Sequence, residues 1–164
     1  MLKNVADGIF MSKVRYGMAI FWPVRLRADE PHPTAIQGIK VVFNRMLRLI
    51  CGAVLEDRIS IKKMLEKVGW LSLNQMAAEV RLIEVWKALH LGTSLTNLFE
   101  RIQGNTRQAS QSRLKLGKNS TLRESSFLQP SAKLWNLAPL NVVEAKTESR
   151  ARTAIREFVK SLPL

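Results

Sequence analysis

Apolar residues recur at helical spacing along most of this chain, and most recurrences end at a residue that stops a helix. Val5, Ile9 and Phe10, then Gly17 and Met18, mark a helix over residues 2–22, which Pro23 cannot extend. Asp29-Glu30-Pro31-His32-Pro33 reads as a loop, because each proline restricts its predecessor to extended backbone. A second helix, about 35–51, gathers Ile36, Ile39, Phe43, Met46, Leu47 and Ile50 on one stripe. Lys40, Asn44, Arg45 and Arg48 lie mostly off that stripe, so its exposed side is basic.

The sharpest local signals follow. Ile61, Met64, Leu65 and Val68 are spaced i, i+3, i+4, i+7, and Gly69 stands where a left-handed residue ends a helix. Ser72 and Gln75 form a capping-box pattern, with Leu71 and Met76 placed for a hydrophobic staple. The helix they start runs through Met76, Val80, Ile83 and Trp86 to Leu89 and stops at Gly92. The favoured reading of this pair is an α-hairpin in the core. The alternative is a helix-turn-helix offering Asn74 and Gln75 to base edges, against which Glu79 and Glu84 would repel phosphate.

Beyond residue 103 the pattern changes. Gly104 to Ser112 has no apolar periodicity and reads as a loop. Arg113-Leu114-Lys115-Leu116 alternates, as does part of Thr121 to Phe127, with Gly117-Lys118-Asn119-Ser120 available as the turn of a small β-hairpin. Pro130 to Trp135 suits a short helix with proline in its first turn. A last helix, about 148–161, places Ala151, Ile155, Phe158 and Leu162 on one face, with Glu148 and Arg152 paired i, i+4. There is no internal repeat.

Charge adds a partner class to this helical outline. Twenty-six lysines and arginines face thirteen acids, a net charge of +13 on 164 residues. Such a chain attracts polyanions, nucleic acid first and an anionic membrane surface second. Between Glu100 and Glu124 there is no acid, while Arg101, Arg107, Arg113, Lys115, Lys118 and Arg123 sit among groups that hydrogen-bond to phosphate. A solvated loop is the competing reading of this run. The single cysteine, Cys51, excludes an internal disulfide, agrees with a reducing compartment, and reads as a small buried hydrophobe. Asp7 interrupts the only apolar stretch near Met1, so no signal peptide is visible. The apolar stretch from Tyr16 to Val24 is far short of the about 20 residues a spanning helix needs.

Three stretches resemble the region downstream of the catalytic palm in reverse transcriptases of non-LTR retrotransposons. Leu2-Lys3-Asn4-Val5-Ala6 followed by Ser12-Lys13-Val14-Arg15-Tyr16-Gly17 is similar to the family's helix carrying Ser-Lys-aliphatic-x-Tyr-Gly. Asn44-Arg45-Met46-Leu47-Arg48-Leu49-Ile50-Cys51-Gly52 is similar to its Asn-basic-x-Leu-Arg-x-Ile-x-Gly stretch. Ser126-Phe127, then Leu134-Trp135-Asn136 with Pro139, is similar to its Ser-Phe … Leu-Trp-Asn-x-Leu-Pro element, with Ala138 where leucine is usual. The motifs come in the family's order and cover nearly the whole chain.

The helical spacing predicts a mainly α fold of five or six helices, and the resemblance makes residues 1–102 a thumb-like helical bundle. A less regular basic loop or hairpin over 103–128 and C-terminal helices over 129–164 packing on the bundle complete it. It also implies a nucleic-acid partner, RNA or RNA/DNA duplex, together with the fingers and palm of the same polyprotein, and a nuclear or cytoplasmic location. The family's Tyr/Phe-x-Asp-Asp metal-binding motif has no counterpart here. The expectation is therefore a catalytically incomplete fragment, not an enzyme, with no cofactor. Lys13, Arg15 and Tyr16 would lie along the template–primer backbone, unless Tyr16 and Gly17 only pack against a neighbour. Lys40, Arg45 and Arg48 on the second helix and the 101–123 cations complete the expected footprint.

Other chemistry finds little support. Polymerase metals need converging carboxylates, but Asp29-Glu30 and Glu56-Asp57 read as solvated acidic turns. His32 and His90 lack a nucleophile-elbow motif, and one cysteine with two histidines cannot make a four-ligand Cys/His zinc site. No glycine-rich phosphate loop is present, and Gly104-Asn105-Thr106-Arg107 reads as a turn. Phe127 and Trp135 have the rings to stack on bases, although the apolar setting of Trp135 favours the core.

Overall fold

The computed structural model describes residues 2–22, 34–54, 57–103, 112–115 and 127–162. The described residues are mainly helical and contain no strand. The chain opens with one continuous helix in three stretches: α1 (Leu2–Val5), a π-helical segment (Ala6–Met11) and α2 (Ser12–Phe21). The Ser12 hydroxyl donates to the Gly8 carbonyl at 2.6 Å, a side-chain bond that competes with the backbone ladder. The wider turn shifts the buried face. Ala6, Met11, Met18 and Trp22 point inward, while Val5 and Ile9, expected inside, are 52% and 63% exposed. Ala6 and Met11 are five residues apart, the hydrogen-bond span of a π turn, so 3.6-residue counting misplaced Val5 and Ile9 while Phe10 and Met18 do pack on the core.

Helix α3 (Thr34–Cys51) buries Ile36, Phe43 and Leu47. Met46 and Ile50 are half-buried, and Ile39, also expected inside, is exposed. Its main partner is α4 (Ile61–Val68), through a small cluster of Leu47, Met64 and Val68. The Ser60 side chain caps α4, and Gly69 ends it at φ 74°, a left-handed value at which a side chain is strained. The hairpin expected between α4 and the next helix is thus replaced by an α3–α4 pair. Trp70, stacked on Phe43 at 5.8 Å between centroids, links that pair to the main core.

Helix α5 (Leu73–Leu91) is the centre of the molecule. Ser72 and Gln75 make the reciprocal capping box, each backbone N–H reaching the other's side chain at 3.1 Å, and Gly92 ends the helix in left-handed conformation. Its buried residues cover most of its circumference, as in a helix surrounded on several sides. Around it pack α2, then α6 (Leu128–Leu137) and α8 (Glu148–Ser161), with the short α7 (Leu140–Val143) against α8. One apolar cluster therefore joins N-terminal and C-terminal helices, including Met18, Met76, Leu82, Trp86, Leu134, Trp135 and Ile155. On α8, Ala151, Ile155 and Val159 are buried, while Phe158 and, just past its end, Leu162 only partly pack.

The alternating stretch at 113–115 pairs backwards along the chain. Ile102 N–H donates to Arg113 O and Lys115 N–H to Glu100 O, both at 2.8 Å, around an antiparallel Arg101–Leu114 bridge. The proposed hairpin turn at 117–120 and its second arm to Ser126 lie outside the described residues. Among those described, no helix is long and apolar enough to cross a membrane.

Candidate functional site

The expected cations separate into two groups. Lys13 and Arg15 on α2 and Lys40 and Arg45 on α3 are exposed, and none makes a hydrogen bond or ion pair with the described residues. Helix α3 contains no acid, and Asp7 is the one acid among residues 2–21. Tyr16, beside Arg15, is 86% exposed and so is not part of this chain's core, while Gly17 is half-buried.

The second group is committed to the fold. Arg113 is half-buried and its guanidinium donates to the carbonyls of Trp135, Asn136 and Ala138, capping the C-terminal end of α6. Leu114 is tied to the same place, its N–H and C=O both bonded to the Asn136 side chain. Arg101 donates to Leu89 O at the end of α5, and Arg48 reaches Val54 O at 3.4 Å. Lys115 pairs with Glu100 at 3.1 Å. Arg48, Arg101, Arg113 and Lys115, all expected in the phosphate footprint, thus each have a partner within the protein. The donors engaged in this way face backbone carbonyls or a carboxylate, and a phosphate meeting those same donors would have to displace the partner. Arg107, Lys118 and Arg123 lie outside the described residues.

Further exposed cations lie on other helices. Lys62 and Lys63 on α4, and Arg150, Arg156 and Lys160 on α8, have side chains without a partner among the described residues. Their signal was the polar face of two amphipathic helices, outweighed in the sequence by the acid-free run beside it.

The other candidates resolve individually. Asn74 accepts a hydrogen bond from Trp22 Nε1 at 3.0 Å and Gln75 completes the capping box, so neither is offered to a base edge. Trp135 is fully buried and donates to Ser112 O. His90 is exposed, stacks on Trp86 at 4.7 Å and places Nδ1 3.0 Å from Trp86 O. Asp57 accepts from Val54 N–H within a turn, whereas Glu56, Asp29, Glu30 and His32 lie outside the described residues. Among the described residues, no three His, Cys, Asp or Glu side chains converge on a metal-sized site.

Phe127 is part of a polar clasp that the periodicity did not reveal. Arg81, 1% exposed in the middle of α5, donates to Trp22 O at 2.7 Å and Phe127 O at 3.3 Å. Its guanidinium carbon lies 5.3 Å from the Phe127 ring centroid, and burial lowers its pKa to about 10. Phe99 meets the same ring edge-on at 6.3 Å.

Beside this clasp opens a cavity of about 570 Å³. Val80, Leu95, Leu98, Leu128 and Phe127 make its apolar walls, while Arg15, Tyr16 and Glu84 supply its polar groups. Glu84 is paired with Lys87 at 3.2 Å, which offsets its charge. The size is that of an ordinary small-molecule pocket. It brings Arg15 and Tyr16 together with Phe127, residues from the first and third motif stretches. No family model matches the chain, and no curated protein or solved structure is significantly similar to it.

Proposed function

We propose that this chain is a catalytically incomplete helical element like the post-palm region of a non-LTR retrotransposon reverse transcriptase. It binds the backbone of RNA or of an RNA/DNA duplex without reading sequence, in a nuclear or cytoplasmic setting, with a fingers–palm part of the same element as its protein partner. The observation that carries this reading is the set of exposed cations Lys13, Arg15, Lys40 and Arg45, without a partner among the described residues, on helices with one acid between them. Contacts of this type position a strand and carry no base information. The test is binding to labelled single-stranded RNA and primer–template duplex across a salt series. The expected log–log slope is about −0.7 to −0.9 per contacted phosphate, reduced when Lys13, Arg15, Lys40 and Arg45 are changed to Gln. Absence of binding by the folded protein at low salt overturns it. Primer extension recovered on adding a palm in trans would add support for the thumb role.

A second reading has its own observation. Ile39, Val41, Val42 and Leu49 are 40–65% exposed on α3 among Lys40 and Arg45, an apolar and basic mixture suited to an acidic protein or lipid surface. Displacement by anionic vesicles, and not by excess RNA, would favour that module.

A further inference from the structure

We infer that the cavity between α2, α5 and the start of α6 receives one unpaired nucleobase of a bound strand. The inference rests on the backbone-binding reading and adds to it a defined place for a base. Phe127 forms a wall that is already fixed, because Arg81 holds its carbonyl and stands against its ring, and Phe99 abuts it. A ring held this way offers a contact surface with little ordering left to do on binding.

Three features select a base over other apolar groups. First, Arg15 and the 86% exposed Tyr16 both belong to the cavity lining. The ligand's apolar part should therefore be attached to an anion and flat enough to meet a phenol ring. Second, the Glu84 carboxylate in the lining offers an acceptor to an N–H on the polar edge of a heterocycle, whereas an acyl chain has nothing to donate to it. Third, the rest of the lining is aliphatic, which suits the faces of a base and discriminates weakly among bases. A nucleotide in a single strand supplies the phosphate, the ring face and the polar edge together. An apolar side chain from a protein partner supplies only one of them.

The test compares the full chain on oligouridylate, oligothymidylate and an abasic oligomer of equal length at one low salt concentration. An aminopurine placed within the strand reports stacking by quenching. Expected is binding to both base-bearing strands, the RNA and DNA arms showing whether the sugar matters, with the abasic strand bound about tenfold more weakly. Tyr16→Ala, at an exposed position, should weaken the base-bearing strands more than the abasic one and so close most of that gap. Leu98→Trp, also at an exposed wall position, should do the same by filling the space, with circular dichroism confirming the fold. Equal affinity for base-bearing and abasic strands overturns the inference and leaves backbone binding intact. Equal loss on both strands in Tyr16→Ala also overturns it, since Tyr16 would then touch the backbone. No binding to any strand removes the backbone reading and this inference with it.

Discussion

Arg81 Nη2 donates to the carbonyl of Trp22 at 2.7 Å, and the Trp22 indole in turn donates to Asn74 on the same helix as Arg81. Seven residues separate Asn74 and Arg81, two turns of α5, so one helix face holds Trp22 by backbone and side chain together. This fixes the end of α2 against α5 and positions Arg15 and Tyr16 at the cavity. Arg81→Ala should destabilise the protein by about 2–4 kcal/mol, since it empties a buried volume and leaves carbonyls unpaired. Asn74→Ala should cost about 1 kcal/mol by the loss of one hydrogen bond. Denaturant unfolding checks both. At neutral pH the Arg81 guanidinium is charged folded and unfolded, so its contribution should not vary with pH there. Because burial lowers its folded pKa to about 10, its unfavourable contribution should ease only above that value.

The opening helix separates two ways of reading a helical face. Met11→Ala should destabilise by about 2–5 kcal/mol, as for a fully buried side chain. Ile9→Gln should change stability by no more than about 0.5 kcal/mol, because the side chain is solvated. Ordinary periodicity predicts the reverse for Ile9, so thermal melts of the two variants test the π turn directly.

Local signals were the most legible part of this fold. Ser72, Gln75, Gly69 and Gly92 act through bonds within a few residues of themselves, and each sits where its chemistry requires. The partner of α4 was not legible, since Met64 and Val68 form an apolar stripe that suits α3 and α5 equally. Nor was the role of Arg113, whose acid-free neighbourhood looks the same whether its donors meet phosphate or the carbonyls of α6. Arg81 gave no signal at all. A cation inside an apolar period looks like an interruption until the carbonyls of Trp22 and Phe127 arrive from elsewhere in the chain.

Gly69 offers a compact check on the α4 terminus. At φ 74° a Cβ meets no neighbour within 4 Å, so the cost of Gly69→Ala should come from the backbone alone, about 1–2 kcal/mol. Ser72→Ala, which removes half of the capping box at the start of α5, should cost about 1 kcal/mol. The residues share a short connection, so the double variant should be measured rather than summed.

Glu148 joins two helices electrostatically. A hydrogen bond from Arg152, then the charges of Arg152 and Lys87, hold its carboxyl below the usual carboxylate range. The folded pKa is lowered, so the pair's contribution is present above the unfolded carboxyl pKa and lost as pH falls through the folded value. NMR titration should find Glu148 below the ordinary glutamate range, and Arg152→Ala should move it back towards that range. Both groups are largely solvated, so the effect should be read in the titration and not in the melting temperature.

The two groups of cations predict opposite responses to substitution. Lys40→Gln with Arg45→Gln removes two exposed charges that touch nothing described, so stability should be unchanged within about 0.5 kcal/mol. On the backbone-binding reading, the salt slope should fall by about 1.4–1.8 if each lost charge met one phosphate. Arg113→Gln should do the reverse. It strips donors from the carbonyls of Trp135, Asn136 and Ala138, so α6 and the 112–115 segment should loosen. The expected loss is about 1–3 kcal/mol of stability, with the salt slope of the folded fraction unaltered. Measuring unfolding and the salt series on the same preparations separates the outcomes. If Arg113→Gln lowered the slope while leaving stability intact, its place among the phosphate contacts would be restored and its role as an α6 cap withdrawn.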